Sequence, residues 1–262
     1  MLTAPGFIQK KKKNEKISVI TCYDASMAAI LAESEIDAIL VGDSAAMVFH
    51  GFDSTVHADL EMMVFHTAAV RRGAPDAFII ADMPFLSHRK GKYQALNAAG
   101  ELVKAGANAV KLEGEKGHAK VVEHIVRSGI PVMGHLGLTP QYVNNFGGYR
   151  IQGKTEDDFE RLKQEALSLQ EKGCFAIVAE GMPEKTGAGI SKALDIPIIG
   201  IGAGRETDGQ VLVIYDMLGI TLNMKPRFVR NFMNGAEDIK NAVNAFSRAI
   251  KSGEYPGPGE IY

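Results

Sequence analysis

Eight short apolar runs, with segments of helical period between most of them, constrain this chain more than any other feature. The runs are ISVITCYD (17–24), AILVGD (38–43), AFIIAD (77–82), AVKLEG (109–114), PVMGHLG (131–137), FAIVAEG (175–181), IPIIGIGAG (196–204) and QVLVIYD (210–216). Segments 25–35, 58–72, 92–105, 118–128, 156–172 and 184–194 carry apolar residues at helical spacing, and 236–251 predicts a closing helix. Parallel strands need crossovers of a dozen or more residues, so the alternation predicts a parallel sheet. Eight strand–helix units in 262 residues match the count and size of an α/β fold of the closed (β/α)8 TIM barrel type, with an open doubly wound sheet as the alternative. Only GRETDG links the seventh and eighth runs, too short for a regular helix. No linker of biased composition divides the chain, which predicts one domain over 1–262, with a flexible N-terminal segment and a poorly ordered C-terminal tail, GEYPGPGEIY.

Composition narrows the class. Lys+Arg at 29 against Asp+Glu at 31 gives a net charge of −2, so there is no basic field to attract nucleic acid. No run approaches the ~20 apolar residues of a membrane span. The two cysteines, Cys22 and Cys174, lie far apart in apolar runs and read as reduced core thiols of a cytoplasmic protein. The run Lys10 to Lys13 reads as a solvated tail, and the histidines other than His135 read as surface residues.

In either architecture the working face lies at the carboxyl ends of the strands. Those ends carry Asp24, Asp43, Asp82, Glu113, His135, Glu180, Gly202 with Gly204, and Asp216. Aspartate after a strand often caps the next helix, and that reading is preferred for Asp24 and Asp216. Strand alternation puts Lys111 with Glu113, Ile80 with Asp82, Val178 with Glu180 and Val41 with Asp43 on shared faces, the charged groups pointing into the barrel mouth. Like charges so placed repel and lose hydration, a conflict that a bound cation resolves. An all-oxygen donor set favours Mg2+ or a similar hard ion. His135 either meets a substrate or satisfies the core. GIGAG (200–204) fails the dinucleotide fingerprint, leaving close backbone approach or a phosphate loop. The Gly-rich loop 137–156 is long enough to be functional.

The strand-end segments TCYD (21–24), VGDS (41–44), HTAAVRRGAP (66–75), ADMPF (81–85), VKLEG (110–114), GHLGLTPQ (134–141), FGGYRIQG (146–153), AEGMP (179–183), IGIGAG (199–204) and TDGQVLV (207–213) resemble those of the ketopantoate hydroxymethyltransferase family, in the same order. The resemblance implies magnesium on Asp43 and Asp82, with Glu113 completing the metal site. It implies that Ser44 and Lys111, together with Asp43 and Asp82, hold an oxo acid, that His135 lies close to it, and that Glu180 is the general base. The implied reaction passes a hydroxymethyl group from 5,10-methylenetetrahydrofolate to 3-methyl-2-oxobutanoate, giving 2-dehydropantoate and tetrahydrofolate in pantothenate synthesis. A cytoplasmic homo-oligomer, a decamer of two pentamers, is implied as well. Ala45-Ala46 and Met182 depart from the common pattern without removing a charge. Another Mg-dependent, enolate-forming carbon–carbon lyase on the same barrel is the alternative.

Overall fold

The computed structural model describes residues 2–221 and 226–262. Eight strands, β1 (Ile17–Thr21), β2 (Ala38–Val41), β3 (Ile79–Asp82), β4 (Ala109–Glu113), β5 (Val132–Gly137), β6 (Ala176–Glu180), β7 (Ile198–Ile201) and β8 (Gly209–Leu212), close into one barrel in chain order. Every neighbouring pair is parallel, and β8 pairs back onto β1 with Val211 opposite Val19. The helices are α1 (Ala4–Lys12), α2 (Ala25–Ala32), α3 (Ala45–Val48), α4 (Leu60–Gly73), α5 (Lys92–Lys104), α6 (Ala119–Arg127), α7 (Val143–Phe146), α8 (Glu156–Glu171), α9 (Glu184–Ala193), α10 (Ile214–Met217) and α11 (Ile239–Ser252). As the short GRETDG link implies, β7 passes to β8 without a helix.

The strands are buried on both faces, which is why they read as near-continuous apolar runs. Ile20, Ile39, Ile79, Val110, Val132, Ile177 and Leu212 pack outward against the helices. Val19, Leu40, Ile80, Met133, Val178, Ile199 and Val211 fill the interior. Among the described residues this two-sided core leaves Asp43, Asp82, Lys111, Glu113 and His135 buried at the carboxyl ends of the strands.

Both terminal segments pack against the barrel, where a flexible N-terminal segment and a poorly ordered C-terminal tail were expected. Thr3 caps α1, and Phe7 is fully buried at the amino ends of the strands, 5.5 Å from the Phe78 ring and 5.2 Å from Phe175. Lys10 pairs with Asp37 at 3.0 Å, and Lys11 donates to Asp208 at 2.9 Å and to the Ser191 carbonyl at 2.7 Å, so two of the four lysines are partnered rather than solvated. At the other end Tyr255 is buried and donates to the Phe228 carbonyl, Glu260 pairs with Arg230, and the Tyr262 carbonyl accepts from Glu184 N–H. Polar composition hid these anchors because each rests on a few aromatic or charged side chains.

Three histidines expected at the surface are also buried: His66, His88 and His118. His66 Nδ1 lies 2.6 Å from the Tyr23 carbonyl, and the His88 and His118 rings meet edge to face at 4.8 Å. Among the described residues no helix is long and apolar enough to cross a membrane.

Candidate functional site

Parallel register sets the site. Asp82 stands opposite Lys111, Glu113 opposite His135, and Gly137 opposite Glu180, so the ends of β3, β4, β5 and β6 present their side chains to one mouth. Asp43 arrives differently. Strand β2 ends at Val41, whose side chain packs outward, and the turn through Gly42 brings Asp43 back over the mouth. Alternation along the run therefore placed Asp43 correctly for the wrong reason. The mouth encloses about 100 Å3 and is lined by Asp43, Ser44, Asp82, Lys111, Glu113, His135 and Glu180 with apolar neighbours. A larger cavity of about 380 Å3, near Phe232 and Arg248, lies away from these groups.

The charged groups are buried and interlocked. Lys111 Nζ lies 2.7 Å from Asp82 Oδ1, and Asp82 Oδ2 accepts from the Asp43 N–H at 3.0 Å. His135 bridges two acids, with Nδ1 3.3 Å from Glu113 Oε1 and Nε2 3.1 Å from Glu180 Oε2. Ser44 Oγ lies 2.9 Å from the Tyr23 hydroxyl. Gly137 sits at φ +91°, and a Cβ there would collide with the Glu180 carbonyl oxygen. That close approach is where the backbone demands glycine.

Burial, then the charges of Asp82 and Glu113, push Asp43 well above the ordinary carboxylate range. Burial alone would lower Lys111, but Asp82, Glu113 and Asp43 outweigh it and hold the ammonium above the usual lysine range. Burial would likewise raise Glu113; His135, Lys111 and the Gln141 N–H reverse this and keep it ionised. His135 is pulled down by burial and by Lys111, yet Glu113 and Glu180 carry it up to about 9. A histidine protonated at neutral pH between two carboxylates pairs with both by charge, although its Nε2 makes no aligned hydrogen bond.

The donor chemistry fits a hard divalent cation. Asp43 and Asp82 supply carboxylate oxygens on adjacent strand ends, and Asp82 Oδ1 is buried with no aligned hydrogen bond despite its ion pair. Both Glu113 oxygens have partners, one close to His135 and one accepting from the Gln141 N–H, while the side chain still lines the mouth. Among the described residues no three His, Cys, Asp or Glu side chains enclose an ion on their own. Mg2+ commonly takes one or two carboxylates and keeps several waters, so two suffice.

Asp24 caps α2 by accepting from Met27 N–H at 2.9 Å, as its preferred reading had it. Asp216 lies inside α10, whose N-cap position is Val213, so the capping reading preferred for it is corrected, and it does not line the mouth. Gly202 and Gly204 adopt positive φ where Phe228 and Glu184 approach the backbone, which favours close approach over a phosphate loop. The residue that sequence reasoning missed is Gln141, whose Nε2 donates to Asp43 Oδ2 at 2.8 Å. Its only signal was a place within GHLGLTPQ, and an amide has no charge conflict to expose it.

A family model described as ketopantoate hydroxymethyltransferase matches residues 1–258. The chain belongs to that family. A family relative from Bdellovibrio bacteriovorus, named 3-methyl-2-oxobutanoate hydroxymethyltransferase, is 50% identical over 100% of both chains. Proteins of the same name from Francisella tularensis subsp. novicida and Coxiella burnetii are 44% and 47% identical, covering 100% and 97% of this chain and 99% and 96% of their own. Solved barrels share the fold at low identity. Phosphonopyruvate hydrolase superposes with a TM-score of 0.63 at 9% identity over 84% of each chain. 2,3-Dimethylmalate lyase, a PEP mutase/isocitrate lyase superfamily member, gives 0.60 at 17% over the same share of each.

Proposed function

We propose that the protein transfers a hydroxymethyl group from 5,10-methylenetetrahydrofolate to 3-methyl-2-oxobutanoate, yielding 2-dehydropantoate and tetrahydrofolate for pantothenate synthesis. The observation that carries this reading is Glu180, paired with His135 in a mouth that the Asp43 and Asp82 carboxylates also line. Family membership and the shared name of relatives at 44–50% identity support it. Asp43 and Asp82 would hold Mg2+, which supplies Lewis-acid polarisation of the oxo acid's keto group.

The chain's own groups then divide the work. Glu180 takes the C3 proton, and its side chain is the least buried of the mouth's acids, at 16% exposed. His135 pairs with that carboxylate by charge. Lys111 balances the negative charge that develops on the oxo acid. Ser44, anchored on Tyr23, donates to the substrate carboxylate. At the one-carbon unit a C–C bond to the deprotonated carbon and a C–O bond to water form as the two C–N bonds to the folate break. The C3 proton held by Glu180 and one proton of the water pass to the nitrogens of the departing tetrahydrofolate. The reading has the protein working in the cytoplasm as a homo-oligomer, a decamer of two pentamers, with the oxo acid and the folate as its small-molecule partners.

Hydrogen–deuterium exchange at C3 of 3-methyl-2-oxobutanoate, without folate, isolates proton removal. Glu180→Gln keeps the shape but cannot accept the proton, and should slow exchange and turnover by ~10²–10⁴ while leaving oxo-acid binding nearly intact. Exchange at the parent rate would remove Glu180 as the base. Turnover of the parent without methylenetetrahydrofolate would favour a carbon–carbon lyase instead.

A further inference from the structure

Gln141 lies in the turn Pro140–Tyr142 after β5 and is 4% exposed. Its backbone N–H donates to Glu113 Oε2 at 3.0 Å. Its Nε2 donates to Asp43 Oδ2 at 2.8 Å and to the Met83 carbonyl at 3.1 Å. One loop residue thus grips carboxylates from beyond β2 and from β4, and the backbone just past β3. The amide orientation is not free. The Met83 carbonyl can only accept, so a flipped amide would set Oε1 against it. As placed, Oε1 is buried and meets no donor, while Nε2 donates two bonds.

Beyond Gln141 the loop stays near the site at Tyr149, whose hydroxyl donates to Met47 Sδ at 3.7 Å and is held above the usual tyrosine range by burial and then by the charges of Glu180 and Asp43. Leu138 N–H is fixed to the Glu180 carbonyl and Gln152 N–H to the Gly181 carbonyl, while Asn144, Asn145, Tyr149 and Arg150 are exposed. Between those two backbone ties, Gln141 is the side chain that fastens the loop to the acids of the mouth.

We propose that Gln141 is a positioning residue for the cation site. It fixes the rotamer of Asp43, leaving the other carboxylate oxygen to face the mouth. It occupies one oxygen of Glu113, and it ties the order of residues 142–151 to the state of these two acids. This rests on the reading that Asp43 and Asp82 hold a divalent cation. Groups that hydrogen-bond a ligating carboxylate from behind are worth ~10–100-fold in metal affinity.

The test uses Mn2+ alone as probe on the full chain. Binding is followed by calorimetry and by the Mn2+ electron paramagnetic resonance spectrum, and loop order by tryptic cleavage at Arg150. In the parent, Mn2+ should bind and slow cleavage at Arg150. Gln141→Leu, which keeps the bulk and loses the donor, should bind Mn2+ ~10–100-fold more weakly, with an altered spectrum and no protection of Arg150. Gln141→Asn, which draws the amide back from Asp43, supplies the same measurements if the leucine variant does not fold. Parent-like affinity, spectrum and protection in the folded variant overturn the proposal. Asp82→Ala separates the two levels of inference. If the parent binds Mn2+ and Asp82→Ala does not, the cation site stands whatever Gln141 does. A parent that binds no Mn2+ overturns both.

Discussion

Lys111 Nζ and Asp82 Oδ1 face each other at 2.7 Å across neighbouring strands, each side chain no more than 5% exposed. The pair is in register, so sheet geometry itself aligns the two charges. Two further carboxylates, Asp43 and Glu113, lie in the same mouth, and all three acids hold the lysine in its charged form.

Removing that cation should therefore be costly. Lys111→Met is expected to destabilise the fold by ~3–5 kcal/mol, the scale for stripping one partner from a buried ion pair. Millimolar Mg2+ should restore part of the loss by rebalancing the remaining acids. Thermal unfolding of the variant with and without Mg2+ checks this, and an unfolding midpoint indifferent to Mg2+ would count against a cation site among these acids.

Asp82→Ala bears on the same pair from the other side. Crowded like charges alone would make the substitution stabilising in the metal-free protein, but the ion pair reverses that expectation. The variant should melt below the parent, because Lys111 loses its nearest counter-charge and Asp43 N–H loses its acceptor. It should also lose Mg2+-dependent binding of 3-methyl-2-oxobutanoate by calorimetry. A raised melting temperature would mean that repulsion, not pairing, dominates this corner.

Gly137 offers a probe that removes no charged group. At φ +91° a side chain is strained by about 1–3 kcal/mol, and a Cβ would also press on the Glu180 carbonyl. Gly137→Ala should lower stability in denaturant titrations and reduce turnover by displacing the end of β6. Parent-like stability would show that β5 and β6 can part here without penalty.

Acid sensitivity should have a source outside the mouth. Burial pushes His88 down to about 3, with the positive charges of His118 and Arg89 adding to the effect. The unfolded chain takes up that proton near pH 6.5 while the folded chain resists it, so the stability this group contributes is complete above ~6.5 and is lost as pH falls toward 3. His88→Gln should flatten the fall in unfolding free energy between pH 6 and 4 by up to ~1.4 kcal/mol per pH unit. An unchanged slope would place the acid-labile groups elsewhere.

The barrel was legible because its strands are buried on both faces and their links keep helical period, two signals that local composition carries. Lys111, Glu113, Asp82 and Glu180 were legible because alternation along a strand fixes a face. Asp43 escaped that rule, since its direction comes from the turn after Val41. Gln141 was hidden because its importance lies in which acids it reaches, from a loop whose path no periodicity records. The ends of the chain misled for a related reason: Phe7 and Tyr255 are single aromatic anchors inside polar stretches, and only the packed barrel supplies their partners.

The position of Phe7 has a consequence for traffic. Wedged between the Phe78 and Phe175 rings, it stoppers the barrel at the end opposite the acids. In the proposed reaction, ion, oxo acid and water would share a doorway at the top, so whatever governs the loop above Asp43 would also set the order in which they enter and leave.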